Sequence, residues 1–149
     1  MLYHQYLKKL KFCPFCKSSG RIFLEREHAY LTYAKSPYHP HHLLVTPKRH
    51  LVSFFSLRPE EKKDIDELIK VGAGLLKKLK YRNFTVLVRE GDQINKSIRH
   101  LHYHLIPNDR IGDLDHQGQP RKILSDEEIV SLSAQIHSLL NPRKKAKIG

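Results

Sequence analysis

The chain has 149 residues, enough for one domain with a real core. Its net charge of +12 and pI near 9.8 favour polyanionic partners such as nucleotides, nucleic acid or other phosphates. With no apolar run of about 18 residues, no membrane-spanning helix is expected, and the mixed start Met1–Leu10 lacks a secretory apolar stretch. A cytoplasmic protein with no membrane partner is the expectation.

Leu2, Tyr6, Leu7 and Leu10 stand at helical spacing and predict a short amphipathic helix. Cys13-Pro-Phe-Cys16 follows and holds the only two cysteines; its two-residue gap suits a metal knuckle or a redox dithiol better than a structural disulfide. Arg21–Leu24 and Ala29–Ala34 read as strands, and prolines at 37 and 40 break the pattern. His42–Thr46 reads as a further strand ended by Pro47.

Pro59 suits a first helical position, and Glu60 and Glu61 favour the positive end of a helix. Ile65, Leu68, Ile69, Gly72, Leu75, Leu76 and Leu79 then recur at three- and four-residue steps, the strongest helix signal in the chain. Gly72 and Gly74 each weaken that helix by about 1 kcal/mol relative to Ala, which a close helix–strand contact would explain. Phe84–Val88 is strand-like, Gly91-Asp92 turn-like, and Ile98–Ile106 reads as a strand. Ser125 with Glu128 forms a capping box for a last helix carrying Ile129, Leu132, Ile136, Leu139 and Leu140, closed by Pro142. The segment 141–149 carries four of the twelve excess positive charges and reads as a frayed basic tail, leaving a body that is itself basic.

This order predicts an α+β fold over 1–140 as a single domain: an antiparallel sheet of about five strands with one long helix packed on it. An N-terminal knuckle and a C-terminal helix flank it. A doubly wound parallel sheet would need more crossovers than the chain contains.

The chemistry concentrates in His100-Leu-His102-Tyr-His104-Leu-Ile-Pro107. On an extended strand the three imidazoles share one face while Leu101, Tyr103 and Leu105 face a core. Random placement of 11 histidines would produce such a row about 0.06 times, so it calls for a cause. Three structural imidazoles side by side would be costly to bury. Two chemical readings remain: a three-histidine metal site, or nucleophilic attack by a neutral imidazole on phosphorus. The latter requires donors for the phosphate oxygens, and Gly91-Asp-Gln-Ile-Asn95-Lys96-Ser97 just upstream offers an amide, an ammonium and a hydroxyl.

The row His100-Leu-His-Tyr-His-Leu-Ile106 resembles the defining motif of the histidine triad superfamily. Pro40-His41-His42-Leu-Leu-Val-Thr-Pro-Lys-Arg-His50 resembles that family's other signature, and with Cys13–Cys16 the likeness spans residues 13 to 107. The resemblance implies that His102 is the nucleophile and that His104 contacts the scissile phosphate and assists the leaving group. Ser97 would meet the phosphate with Asn95 and Lys96, and His42 would lie near the triad. It further implies that His50 and His100 join Cys13 and Cys16 around a structural zinc, freeing His102 and His104 for chemistry. Two departures add positive charge. Asn95-Lys96 replaces a common Gly-Gln, and Arg89-Glu90-Gly91 stands where many hydrolases begin with Asn.

The expected function is hydrolysis of nucleotide phosphoanhydrides or phosphoramidates, or nucleotidyl transfer, through a covalent nucleotidyl-histidine. Purine nucleoside phosphates or dinucleoside polyphosphates are the expected substrates, in an apolar pocket containing Phe23 or Leu43, and the family likeness implies a homodimer. The rival reading is a non-catalytic, zinc-containing module that binds nucleotides or nucleic acid through its basic surface.

Overall fold

A computed structural model of the chain describes residues 1–17, 22–91, 98–107 and 114–141. Asn95, Lys96 and Ser97, the turn residue Asp92, Arg21, and Pro142 with the rest of the basic tail lie outside the described residues. Contacts divide the chain into two units, Met1–Arg110 and Ile111–Gly149.

In the first unit a short helix α1 (Tyr3–Lys9) precedes β1 (Ile22–Glu25), β2 (Ala29–Tyr33) and β3 (Leu43–Pro47). A 3-10 turn (Phe54–Ser56), helix α2 (Pro59–Lys78), β4 (Phe84–Val88) and β5 (Tyr103–Pro107) follow. The five strands form one antiparallel sheet in the order β1-β2-β3-β5-β4. This is the expected α+β architecture, with α2 lying across β2, β3 and β5.

Register divides the residues between the two faces of the sheet. Leu31 pairs with Val45, and Leu43 with Leu105; these side chains meet Ile65, Leu68 and Leu76 of α2, all fully buried. Burying each such aliphatic side chain stabilises the fold by about 1.5–3 kcal/mol. A Cβ at Gly72 would lie 3.0 Å from Leu105 Cδ2 and 3.4 Å from Leu31 Cδ1, so this glycine lets helix and sheet approach closely. Gly74 has open space around it, and the close-contact explanation does not extend to it. The N-terminus of α2 is fixed by Glu61, whose carboxylate accepts the Arg58 backbone N–H at 2.9 Å. The same carboxylate is gripped by Arg49 Nε at 3.0 Å and Nη2 at 2.8 Å.

The opposite face carries Tyr30, Thr32, Leu44, Thr46 and His104, the partners in register of the core residues' neighbours. Residues 11–17 close over part of it, where the Tyr30 hydroxyl donates to the Phe15 carbonyl. The histidine strand is shorter than expected: β5 begins at Tyr103, not Ile98. Leu101 spends its backbone groups elsewhere, its N–H donating to Leu51 O at 2.8 Å and its carbonyl accepting from Thr46 Oγ1 at 2.9 Å. His42 likewise precedes β3 rather than opening it.

In the second unit, helix α3 (Asp126–Leu140) starts at the expected capping box. Ser125 Oγ accepts from Glu128 N–H at 3.2 Å, and Glu128 Oε2 accepts from Ser125 N–H at 2.8 Å. None of its residues is buried.

Candidate functional site

His42, His102 and His104 line one cavity of about 220 Å³ on the face of the sheet away from α2. Its described walls include Tyr3 and Tyr6 of α1, Phe15, Lys35, Tyr38 and Arg89. Leu44, rather than Leu43, contributes the aliphatic surface. Leu43 points the other way, into the core beneath Gly72, and Phe23 packs at a tilt against Tyr33 outside the described walls. Neither Phe23 nor Leu43, expected in an apolar pocket, is among the described walls of this cavity, because strand alternation sends Leu43 to the α2 face.

Main-chain contacts fix the protonation pattern. His102 Nδ1 lies 2.7 Å from the His100 carbonyl, which only accepts, so Nδ1 carries the hydrogen and donates. The lone pair of the neutral ring is then on Nε2. The half-buried ring rests 5.0 Å from the Phe15 ring and 4.7 Å from that of His104, between centroids.

A second pattern runs from Tyr38 through His42 to His104. The Tyr38 backbone N–H donates to His42 Nδ1 at 3.2 Å, so His42 holds its hydrogen on Nε2. That N–H donates to His104 Nδ1 at 2.9 Å, which leaves the hydrogen of His104 on Nε2. Arg89 Nη1 sits 3.5 Å from this same nitrogen. Two donors facing one another at that distance have no acceptor between them, and an oxyanion would serve both. Burial first, then the cationic form of His102, pushes His42 down to about 4 and His104 down to about 3. Both are therefore neutral at pH 7 and act as hydrogen-bonding groups rather than as cations.

Behind this cavity stands a second constellation. Single ligand atoms from Cys13, Cys16, His50 and His100 all lie within 4.8 Å of one another. Cys13 Sγ is 3.4 Å and Cys16 Sγ 3.5 Å from His100 Nδ1, and Cys16 Sγ is 3.2 Å from His50 Nδ1. A tetrahedral ion with metal–sulfur bonds of about 2.3 Å and metal–nitrogen bonds of about 2.05 Å sets its S···N edges at about 3.6 Å. The donor set fits such a cation. His100 also donates from Nε2 to Pro47 O at 2.8 Å, which leaves the Nδ1 lone pair aimed at the cluster. Burial pushes this imidazole down to about 4, keeping it neutral as a ligand must be. The structure thus separates His100, in the Cys/His grouping, from His102 and His104, which line the cavity.

Three participants carried little sequence signal. Tyr38 acts through its backbone N–H, which no motif records, and Tyr3 and Tyr6 reach the cavity from a helix whose sequence shows only amphipathic spacing. His41 contacts the Tyr81 hydroxyl, and His39 packs edge-on against the same ring; neither lines the cavity.

The five-stranded sheet backed by one helix is a fold shared with known proteins. The chain belongs to the HIT family: the model described as HIT domain matches residues 17–111. It is 26% identical over 121 residues to an uncharacterized HIT-like protein of Methanocaldococcus jannaschii, covering 77% of this chain and 94% of that one. It is 33% identical over 99 residues to the adenosine 5'-monophosphoramidase of Schizosaccharomyces pombe, covering 65% of this chain and 71% of the relative. The crystal structure of a histidine triad nucleotide-binding protein from Candida albicans superposes with a TM-score of 0.67. That superposition, at 22% identity, covers 93% of this chain and 100% of that one, and shows the shared fold.

Proposed function

We propose that the protein is a nucleotide hydrolase or nucleotidyltransferase that cleaves a phosphoanhydride or phosphoramidate at the α-phosphorus of a nucleotide. The observation that carries this reading is the His102 Nδ1–His100 carbonyl contact of 2.7 Å, which puts the ring hydrogen on Nδ1 and the lone pair of the neutral imidazole on Nε2, in a side chain that lines the cavity. Nε2 attacks phosphorus, forming a P–N bond as the bond to the leaving group breaks with its electron pair; a phosphate departs as the anion, and an amine takes up a proton from solvent as it leaves. His104 Nε2–H and the Arg89 guanidinium hold the phosphate oxygens, where charge stabilisation carries most of such catalysis. Water or another acceptor then attacks phosphorus, and the P–N electron pair returns to His102 while the acceptor's proton passes to solvent. Asn95, Lys96 and Ser97 would complete the phosphate loop, as the family likeness implies.

The similarity to an adenosine 5'-monophosphoramidase supports purine nucleoside phosphates as substrates, with dinucleoside polyphosphates as a further class. We assign zinc to Cys13, Cys16, His50 and His100, a Cys2His2 set of the structural type. That ion would tie the N-terminal knuckle to the segment that carries His102. We place the protein in the cytoplasm, whose reducing conditions keep such a cysteine pair out of a disulfide and available to the ion. A homodimer extending the sheet is supported by β4, an edge strand with Phe84 and Val86 exposed.

Incubation with labelled adenylate donors tests the mechanism. The wild type should yield an acid-labile, base-stable adduct on His102, and His102→Ala should lose turnover and adduct while still binding nucleotide. A fully active His102→Ala protein removes the proposal.

A further inference from the structure

The cavity holds more positive charge and aromatic surface than one phosphate requires. Arg89 stands at the relay, 3.5 Å from His104. A second cation, Lys35, follows β2 and lines the same cavity. Its Nζ lies 4.3 Å from the centroid of the Tyr6 ring, and Tyr3 stacks against Tyr6 in turn. Among the described wall residues there is no carboxylate, and no salt bridge among the described residues includes Lys35.

An exposed lysine normally samples many rotamers in water. A ring face under the ammonium restrains it by attraction to the π cloud yet takes up none of its three N–H donors. The result is a cation held against the wall of a cavity with its donors available. Tyr3 and Tyr38 add aromatic surface to the same wall. Lysine and tyrosine arranged this way suit a phosphate carried close to a ring or sugar.

We propose that Lys35, steadied by Tyr6, forms a second phosphate subsite, so that the preferred substrate carries a further phosphate besides the one under attack. This rests on reading the cavity as a nucleotide site. The shared chemistry is a second phosphate group, borne either on the ribose or further along a 5'-phosphate chain. Helix α1 thereby becomes part of substrate selection.

Calorimetric titration of the full chain with AMP, ADP and adenosine 3',5'-bisphosphate, without added divalent cations, tests this. In the wild type, at least one of the two-phosphate ligands should bind about tenfold more tightly than AMP, the low end for a charge-assisted contact at a partly exposed position. Which ligand gains shows whether the second phosphate sits on the sugar or on the chain, and the gain should shrink as salt rises. In Lys35→Met the ratio of affinities should fall toward one, and Tyr6→Leu should lower it in the same direction. Lys35 is exposed, so its replacement leaves the core intact. Equal affinities for all three ligands in the wild type, or a ratio untouched by Lys35→Met, would overturn the subsite while leaving the nucleotide reading standing. Failure of the wild type to bind AMP or either two-phosphate ligand would overturn both.

Discussion

Replacing His42 with leucine probes the relay directly. The imidazole is 2% exposed, and its Nε2–H is the donor that keeps His104 Nδ1 satisfied at 2.9 Å. Leucine fills a similar volume but offers no donor. His104 then either leaves Nδ1 unpaired, at a cost of about 1–3 kcal/mol in stability, or moves its hydrogen to Nδ1. The second arrangement turns Nε2 into an acceptor for Arg89 Nη1, 3.5 Å away, so the phosphate loses one donor and part of another. Loss of a preorganised donor to a developing oxyanion lowers kcat by about 100- to 1,000-fold. Single-turnover rates with adenosine 5'-phosphoramidate, alongside urea unfolding, separate the two effects. A His42→Leu protein that is destabilised yet turns over at the wild-type rate would show that the relay is only structural and refute the reasoning.

The depressed basicity of His42 and His104 makes stability depend on pH. Their folded values of about 4 and about 3 lie below the ordinary 6.5, so the unfolded chain takes up protons that the folded chain refuses. Stability is therefore full above the unfolded value and falls on acidification, by up to about 1.4 kcal/mol per pH unit per imidazole. Urea midpoints between neutral pH and about pH 5 should show this fall, and His42→Leu should flatten it; equal slopes would count against the assignment. Glu61→Ala removes the contacts at the start of α2 and should cost about 1–2 kcal/mol, since Arg49 is partly solvated and its share is screened. Chemical denaturation would measure that loss, and an unchanged midpoint would show that Arg49 and Arg58 find other partners. Cys13→Ser should lower both the zinc content by elemental analysis and the thermal midpoint; undiminished zinc would refute the ligand set.

Periodicity located α2, because its apolar spacing matches what the helix buries, the apolar run Phe84–Val88 located β4 although none of its residues is buried, and Ser125 with Glu128 marked the start of α3. The Cys/His grouping was legible only through the family resemblance, since nothing local links Cys13 to His100 across 87 positions. The histidine row misled on strand length. Alternation in sequence looked like five extended residues more than the sheet holds, but Leu51 and Thr46 compete for the Leu101 backbone and delay the strand to Tyr103. Gly74 misled as well, because a glycine in a helix can lack any neighbour that demands it. The direction of the relay was invisible in sequence, since it starts from a backbone amide at Tyr38.

His100 meets the knuckle with its ring and His102 with its carbonyl. The two connections are separable by mutation in an asymmetric way. Any residue substituted at position 100 abolishes the imidazole, yet every amino acid brings the same C=O. Scanning that position therefore reports on the cysteine neighbourhood alone, whereas the orientation of the His102 ring is inherited from the path of the main chain. Drift in side-chain identity cannot erase it; only rerouting the polypeptide can.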